Sequence, residues 1–405
     1  MVGHMEQSFL EKLKRVRIGD LLHIFKFIGA FFVAFFYKRQ RKNLWLLCDN
    51  QVECRDNAYW LFKYLKEHTD EDAVFAISKK SPDYERVSCL GEVIDYGSFK
   101  HWVYYLSAKY NISSQKLGKP NAAICYVLEV YGIIKNTRIF LQHGIITADL
   151  SFLYYEHTKM RMFVTSTYDE WKYVNDNYHY PDGYVKELGL CRFDNLHDIN
   201  TAGGTQVKKN KILIMPTWRM YIRNEIAGEN SGQLFKDTEY YKGWNSVISD
   251  KKLIDYVKEN NLEIIFFPHR EMHNFIEYFD IEDSCITLAA WPEHDVATLL
   301  KECAILVTDF SSVAMDFAYM KKPLIYYQFD NEKFRASHHQ QGYFDFKKDG
   351  FGPVVVTADE VRQEVIKAHK NGFENDEKYL KRHEEYFDLW DDNNCRRNYE
   401  AIKEI

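Results

Sequence analysis

At 405 residues with 46% hydrophobic content, the chain is long enough for two domains with sizeable cores. Eight Pro and 19 Gly exclude a low-complexity or collagen-like chain, and a net charge of −6 gives no reason to expect nucleic acid as a partner. The eight cysteines include no C-x-x-C pair, which points to reduced thiols in the cytoplasm and away from a disulfide framework or a zinc site.

The N-terminal stretch departs from this average. Residues 11–42 hold nine Lys/Arg against two acids, a local net of +7, around an unbroken apolar run of 11 residues at 27–37. A bilayer span needs about 20 residues, so the run reads as too short to cross. It lacks a small-residue cleavage site and is followed by basic residues, unlike a signal peptide. An apolar segment between basic clusters suits an anionic membrane surface; a core or oligomer-interface helix is the other reading. Residues 1–42 are therefore taken as a membrane-associating helical segment.

Beyond residue 43 the chain alternates. Apolar runs that read as strands lie at 44–48, 73–77, 92–95, 110–112, 139–142 and 162–165. Others follow at 211–215, 263–267, 305–307, 323–327 and 354–356. Helix-period stretches at 57–67, 244–260, 296–302 and 361–370 lie between them. Such alternation predicts an α/β fold of parallel sheets with helices on both faces. The Ala202-Gly203-Gly204 break near the midpoint divides two Rossmann-like domains, 43–203 and 204–375. The helical C-terminus, 376–405, is expected to pack back across their interface.

Open parallel sheets bind ligands beyond the carboxyl ends of their strands. Run 138–141 leads into Gln142-His143-Gly144, and 212–215 into Pro216-Thr217-Trp218-Arg219. Run 264–267 leads into Pro268-His269-Arg270, and 305–307 into Thr308-Asp309-Phe310-Ser311-Ser312. His, Arg and Ser are the types that move protons and hold phosphate. A lone His of this kind is more often structural. Four such strand ends, split between two halves, predict one cleft with His143 on one wall and the rest on the other. Ser311 and Ser312 either cap the following helix or offer hydroxyls and backbone N–H groups to an anion. Asp316, one turn in, either binds ligand or supports that turn. His294 either starts the next helix beside Asp295 or binds ligand. No His/Cys/carboxylate cluster has metal spacing, so no protein-held metal is expected; any Mg²⁺ would accompany a nucleotide.

The stretches MPTWR (215–219), FPHR (267–270), HDVATLL (294–300), LVTDFSSVAMDFA (306–318), GYFDF…GP (342–353) and YFDLWDDNNCRRNYEAI (386–402) occur in that order. LQHG (141–144), VTSTYDEW (164–171) and GLCRFDNL (189–196) precede them. Over residues 43–402 the chain thereby resembles the CDP-glycerol glycerophosphotransferase family of teichoic-acid primases and polymerases. The resemblance implies two Rossmann-like domains in a GT-B arrangement, peripheral on the cytoplasmic face of a bacterial membrane. It implies transfer of an alditol phosphate from CDP-glycerol or CDP-ribitol to a hydroxyl of a lipid-linked glycan or polymer, releasing CMP. By resemblance His143 is the base, and His269 donates to the phosphate or leaving group. Thr217, Arg219, Arg270, His294, Thr308, Ser311, Ser312 and Asp316 would lie on the donor side, with Gln142 and Gly144 on the acceptor side.

Two departures bear on the acceptor and donor. Ile145-Ile146-Thr147-Ala148 stands where the family commonly has Thr-Pro-Leu-Lys after His-Gly, and Gln341 replaces an Arg before the Gly-Tyr-Phe stretch. A teichoic acid product is therefore not assumed over a capsule polymer. Two other readings remain: a GT-B glycosyltransferase using a nucleotide sugar, and a catalytically silent membrane scaffold. A homo-oligomer is compatible with each.

Overall fold

The computed structural model describes residues 18–200, 207–226, 231–281, 283–337 and 340–405. The Gly203-Gly204 break and the basic residues 12–17 lie outside the described residues.

Two parallel sheets carry the molecule. The first has strands β1 (Trp45–Cys48), β2 (Ala73–Ile77), β3 (Val93–Asp95), β4 (Tyr110–Ser113) and β5 (Arg138–Phe140). After a two-residue strand, β6 (Ala148–Asp149), come β7 (Met162–Thr165) and β8 (Val185–Glu187). The sheet order is β3-β2-β1-β4-β5-β7-β8. The second sheet uses β9 (Lys208–Met215), β10 (Glu263–Phe266), β11 (Ile286–Leu288), β12 (Cys303–Thr308) and β13 (Leu324–Tyr327). After β14 (Gln340–Gln341) comes its last strand, β15 (Val354–Val355), giving the order β11-β10-β9-β12-β13-β15. Both orders reverse direction once, beside β1 and beside β9. That is the doubly wound pattern, and its switch points are where ligands bind. β1 and β12 are buried along their whole length, as strands covered on both faces must be.

β6 and β14 pair antiparallel, Gln341 opposite Ala148, and so join the two halves directly. A side chain at Gly342 would lie 2.6 Å from the Thr147 carbonyl, so only glycine permits this approach. The C-terminal region forms two helices, Glu377–Tyr386 and Asn394–Lys403. The second returns to the first sheet. Asn394 and Cys395 N–H groups donate to the Asp194 carboxylate at 2.8 Å each, and Asn398 donates to the Gly189 carbonyl at 2.9 Å. Cys395 and Ile402 are buried in the same core as Trp45 and Phe75.

The N-terminal helix Ile18–Gln40 is 23 residues long and corrects the expectation of a short apolar segment. Its Gly19–Gln40 portion contains an 18-residue window of mean hydropathy 1.7 and is long and apolar enough to cross a bilayer by length and composition. It nonetheless lies strapped along the first half. Ala30 and Ala34 are buried, His23 accepts from Trp102 Nε1 at 3.0 Å, and Lys26 Nζ reaches the Gly97 carbonyl at 2.8 Å. At its far end Tyr37 shares a hydroxyl hydrogen bond of 3.1 Å with Tyr104. The opposite face leaves Phe25, Phe31, Phe32, Phe35 and Phe36 exposed.

Candidate active site

The switch points of the two sheets open onto one cavity of about 420 Å³. Asp49 and Asp56 reach it from beyond β1, Gln115 from beyond β4, and His143 from beyond β5. From the second half come Met215 at the end of β9 and Pro216 after it, His269 and Arg270 after β10, and Ser311 and Ser312 after β12.

His143 projects into this cavity with 67% of its side chain exposed, and its Nδ1 is hydrogen-bonded to the Asp56 carboxylate. That carboxylate is the largest cause that raises the His143 pKa above its ordinary value; partial desolvation opposes it. Asp56 itself is held below the usual carboxylate range: burial acts to raise it, but the charges and hydrogen bonds of His143 and the Arg192 charge outweigh that. His269 differs. Its Nδ1 accepts the Glu271 N–H at 3.2 Å, capping the helix Arg270–Tyr278. Desolvation, then the His143 and Arg270 charges, push its pKa down to about 4. It is therefore neutral near pH 7, with Nε2–H as its free donor. Arg270 donates to Glu53 across the cleft at 2.6 Å and lies over the Trp291 ring.

Arg192 spans the two halves. Its Nη1 donates to Asp56 at 2.9 Å and to the His143 carbonyl at 2.6 Å. Its Nε and Nη2 donate to Asp316 at 2.9 and 2.7 Å. Gly144 closes the same contact from below, since a Cβ there would lie 2.8 Å from Ser312 Oγ. Behind Asp56, the buried Asp49 carboxylate accepts the Asp56 N–H at 3.1 Å, the Ala58 N–H at 3.0 Å and the Ser114 hydroxyl at 2.5 Å. Burial, then the neighbouring Asp56 charge, push the Asp49 pKa up to about 7.

Of the residues nominated from sequence, His143, His269, Arg270, Ser311, Ser312 and Asp316 line the cavity. Others are corrected. Arg219 is fully buried, with its fork on Asp330 at 2.7 and 2.9 Å and a second ion pair to Asp309 at 2.8 Å. No edge of the guanidinium is left for a phosphate. Thr308 is buried and donates to the Met215 carbonyl at 2.6 Å. Thr217 gives its N–H to Asp309 at 2.9 Å, its hydroxyl is buried, and it is not among the residues that line the cavity. Gln142 sits at positive φ with its amide turned inward, donating to the Val164 carbonyl at 2.9 Å and to Glu170 at 2.8 Å. His294 folds back on its own turn against Ala290, and Asp295 is the residue that caps the helix Val296–Glu302. Asp316 does line the cavity, but both its oxygens are taken by Arg192.

Asp56 and Arg192 were missed. The strand-end rule applied to β1 would have found Asp56, which is also the N-cap of the helix Asn57–His68. Arg192 stands inside the GLCRFDNL stretch without a local mark of its role.

The minor teichoic acid biosynthesis protein GgaB of Bacillus subtilis (strain 168) is 36% identical over 388 residues. That match takes in 90% of this chain but only 40% of the relative's length. A teichoic acid poly(glycerol phosphate) polymerase of Bacillus spizizenii is 25% identical over 78% of this chain and 80% of its own. Among solved structures, the wall teichoic acid polymerase TagF superposes with a TM-score of 0.62 at 14% identity, covering 98% of this chain and 99% of that one. A UDP-N-acetylglucosamine 2-epimerase from Neisseria meningitidis reaches 0.53 at 10% identity, over 89% of this chain and all of that one. These two likenesses concern the mixed α/β fold with parallel sheets. The family model CDP-Glycerol:Poly(glycerophosphate) glycerophosphotransferase matches residues 30–404, and the chain belongs to that family.

Proposed function

We propose that the two sheet-bearing halves form a GT-B arrangement that transfers an alditol phosphate, with glycerol phosphate as the leading donor group, from a CDP-alditol to an acceptor hydroxyl. The acceptor is a lipid-linked glycan or polymer, and the product a teichoic acid or capsule-type chain. The observation that carries this reading is one cavity with His143 on the first half facing His269, Ser311 and Ser312 on the second. The acceptor oxygen bonds to the alditol-bearing phosphorus, the P–O bond to the CMP phosphate breaks, and the acceptor proton passes to His143 Nε2. Neutral His269 offers Nε2–H, and the Ser311 and Ser312 hydroxyls offer further donors, to phosphate oxygens. The relatives' names, all from teichoic acid synthesis, support the same chemistry. Incubation with CDP-glycerol, CDP-ribitol and UDP-N-acetylglucosamine in parallel is expected to release CMP from a CDP-alditol. UDP release with no CMP would replace this reading by glycosyl transfer.

The same reading has the enzyme on the cytoplasmic face of the membrane, where a lipid-linked acceptor is anchored. The helix Ile18–Gln40 is tied to the first half by His23 and Tyr37, which supports a helix lying in the interface plane over one that crosses the bilayer. Its exposed Phe face points outward, and Lys38, Arg39 and Lys42 remain exposed beside it. Each such cation adds about 1 kcal/mol on an anionic surface, and each inserted Phe about 1.5–3 kcal/mol. Replacing Phe32 and Phe36 together by Ser is expected to weaken anionic-liposome sedimentation by roughly 10²-fold. Unchanged sedimentation would assign the outer face to a protein partner or a second copy instead.

A further inference from the structure

A histidine acts as a base only in the correct tautomer. For Nε2 of His143 to accept a proton, Nδ1 must carry one, and a carboxylate at Nδ1 enforces that choice. Asp56 sits there. The carboxylate in turn needs a cation to stay ionised and fixed while His143 changes charge, and Arg192 is that cation. The Arg192 fork has two edges and divides them between carboxylates from different halves of the molecule, Asp56 behind β1 and Asp316 on the helix Val313–Tyr319. Its side chain is only 12% exposed and that of Asp316 only 6%, so water does not substitute for either contact.

We propose that Asp56 and Arg192 are positioning residues for His143, and that the Arg192–Asp316 pair couples the alignment of this base to the docking of the two halves. The proposal rests on the reading of His143 as the base. An opened state that separates Asp316 from Arg192 would release one edge of the guanidinium, loosen Asp56 and let the imidazole turn. Proton transfer would then be available only when the donor-binding half is seated against the first. The other titratable or charged groups facing His143 are neutral His269 and the Arg270 cation on the opposite wall, Glu53 paired with Arg270, and Asp49, whose two oxygens hold the Asp56 turn.

Two substitutions on the full chain test this. Asp56→Asn keeps the helix cap, because Asn caps as well as Asp, but removes the charge beside His143. The His143 ring, followed by NMR titration, is expected to titrate at lower pH than in the unaltered protein, since the carboxylate stabilises the imidazolium. The acid limb of kcat/KM for CMP release should move down with it, and kcat should fall roughly 10²–10⁴-fold with little change in the Kd for CDP-glycerol. Asp316→Asn acts from the other half, without touching His143 or Asp56. It should also lower the His143 titration midpoint and reduce kcat roughly 10-fold or more, as for loss of a charge-assisted contact. A purely structural role would lower the melting temperature and leave the midpoint and the acid limb where they were. An unmoved midpoint in Asp56→Asn overturns the positioning of His143; because the Asp316 charge also raises the His143 pKa directly, an unmoved midpoint or an unchanged kcat in Asp316→Asn overturns the coupling between halves. The titration needs no turnover. If no CDP-alditol yields CMP, the functional reading fails while the titration still decides this one.

Discussion

Replacing His143 by alanine is expected to lower turnover by roughly 10²–10⁴-fold, the range for loss of a general base. CDP-glycerol affinity, measured by calorimetry, should stay near that of the unaltered protein, because the nucleotide is expected to contact mainly the second half. Stability should also change little. The imidazole is mostly exposed, and Asp56 keeps its Arg192 partner at 2.9 Å when the ring is gone. In the unaltered protein the Asp56 carboxylate raises the His143 pKa. The proton-accepting form therefore fills only above that raised value, and activity should be lost on acidification through a limb lying above the ordinary imidazole range. Turnover within a few-fold of normal in the alanine variant would remove His143 from the mechanism.

Arg219→Ala is expected to act on the fold and not on the nucleotide. The substitution leaves Asp309 and Asp330 buried without their shared cation, and breaking a buried pair in this way costs about 3–5 kcal/mol. A domain is stable by only about 5–15 kcal/mol, so the melting temperature should fall sharply. Asp309 does more than neutralise Arg219. It accepts the Thr217 and Phe310 N–H groups at 2.9 and 2.7 Å, tying the end of β9 to the end of β12. The Thr308-Asp309 pair before the two serines therefore reads as a strut that shapes the switch point. A normal melting curve with lost CDP-glycerol affinity would reinstate Arg219 as a phosphate clamp.

Strand positions were largely legible because a strand buried on both faces is written as a continuous apolar run. Runs 73–77 and 162–165 coincide with β2 and β7, and 263–267 overshoots β10 by one residue. The strands missed are β8 and β11, at sheet edges, and the two-residue strands β6 and β14. They are short and partly polar, so no local pattern marks them; pairing partners distant in the chain define them. The expected helix over 244–260 is two helices, Glu239–Ile248 and Lys251–Glu259, because Asp250 caps the second with its side chain on the Lys252 and Leu253 N–H groups.

Site residues were legible as strand-end positions and illegible as orientations. Gln142 and His143 are adjacent beyond β5, yet one amide is held inward by Glu170 and the other side chain opens to the cavity. Arg219 follows β9 as expected, but Asp330, 111 positions away, captures it. Such captures depend on partners brought together by tertiary packing, which the spacing of residues along the chain does not encode. The same holds for Arg192, whose partners lie 136 positions earlier and 124 later.

The return of the last helix to the first sheet sets an order of events during translation. Asp194 and Asn394 are 200 positions apart, and Gly189 must remain side-chain-free because Asn394 Oδ1 occupies the space of a Cβ. At about 5–20 residues per second the ribosome needs roughly 10–40 s to travel between them. Throughout that interval the first half can form its sheet, but Trp45 and Cys191 lack the Tyr399 and Cys395 that will cover them. The nascent chain thus carries an uncovered apolar seam until the helix Asn394–Lys403 emerges. That seam is where a holding chaperone would bind, and where a stalled or truncated product would first aggregate.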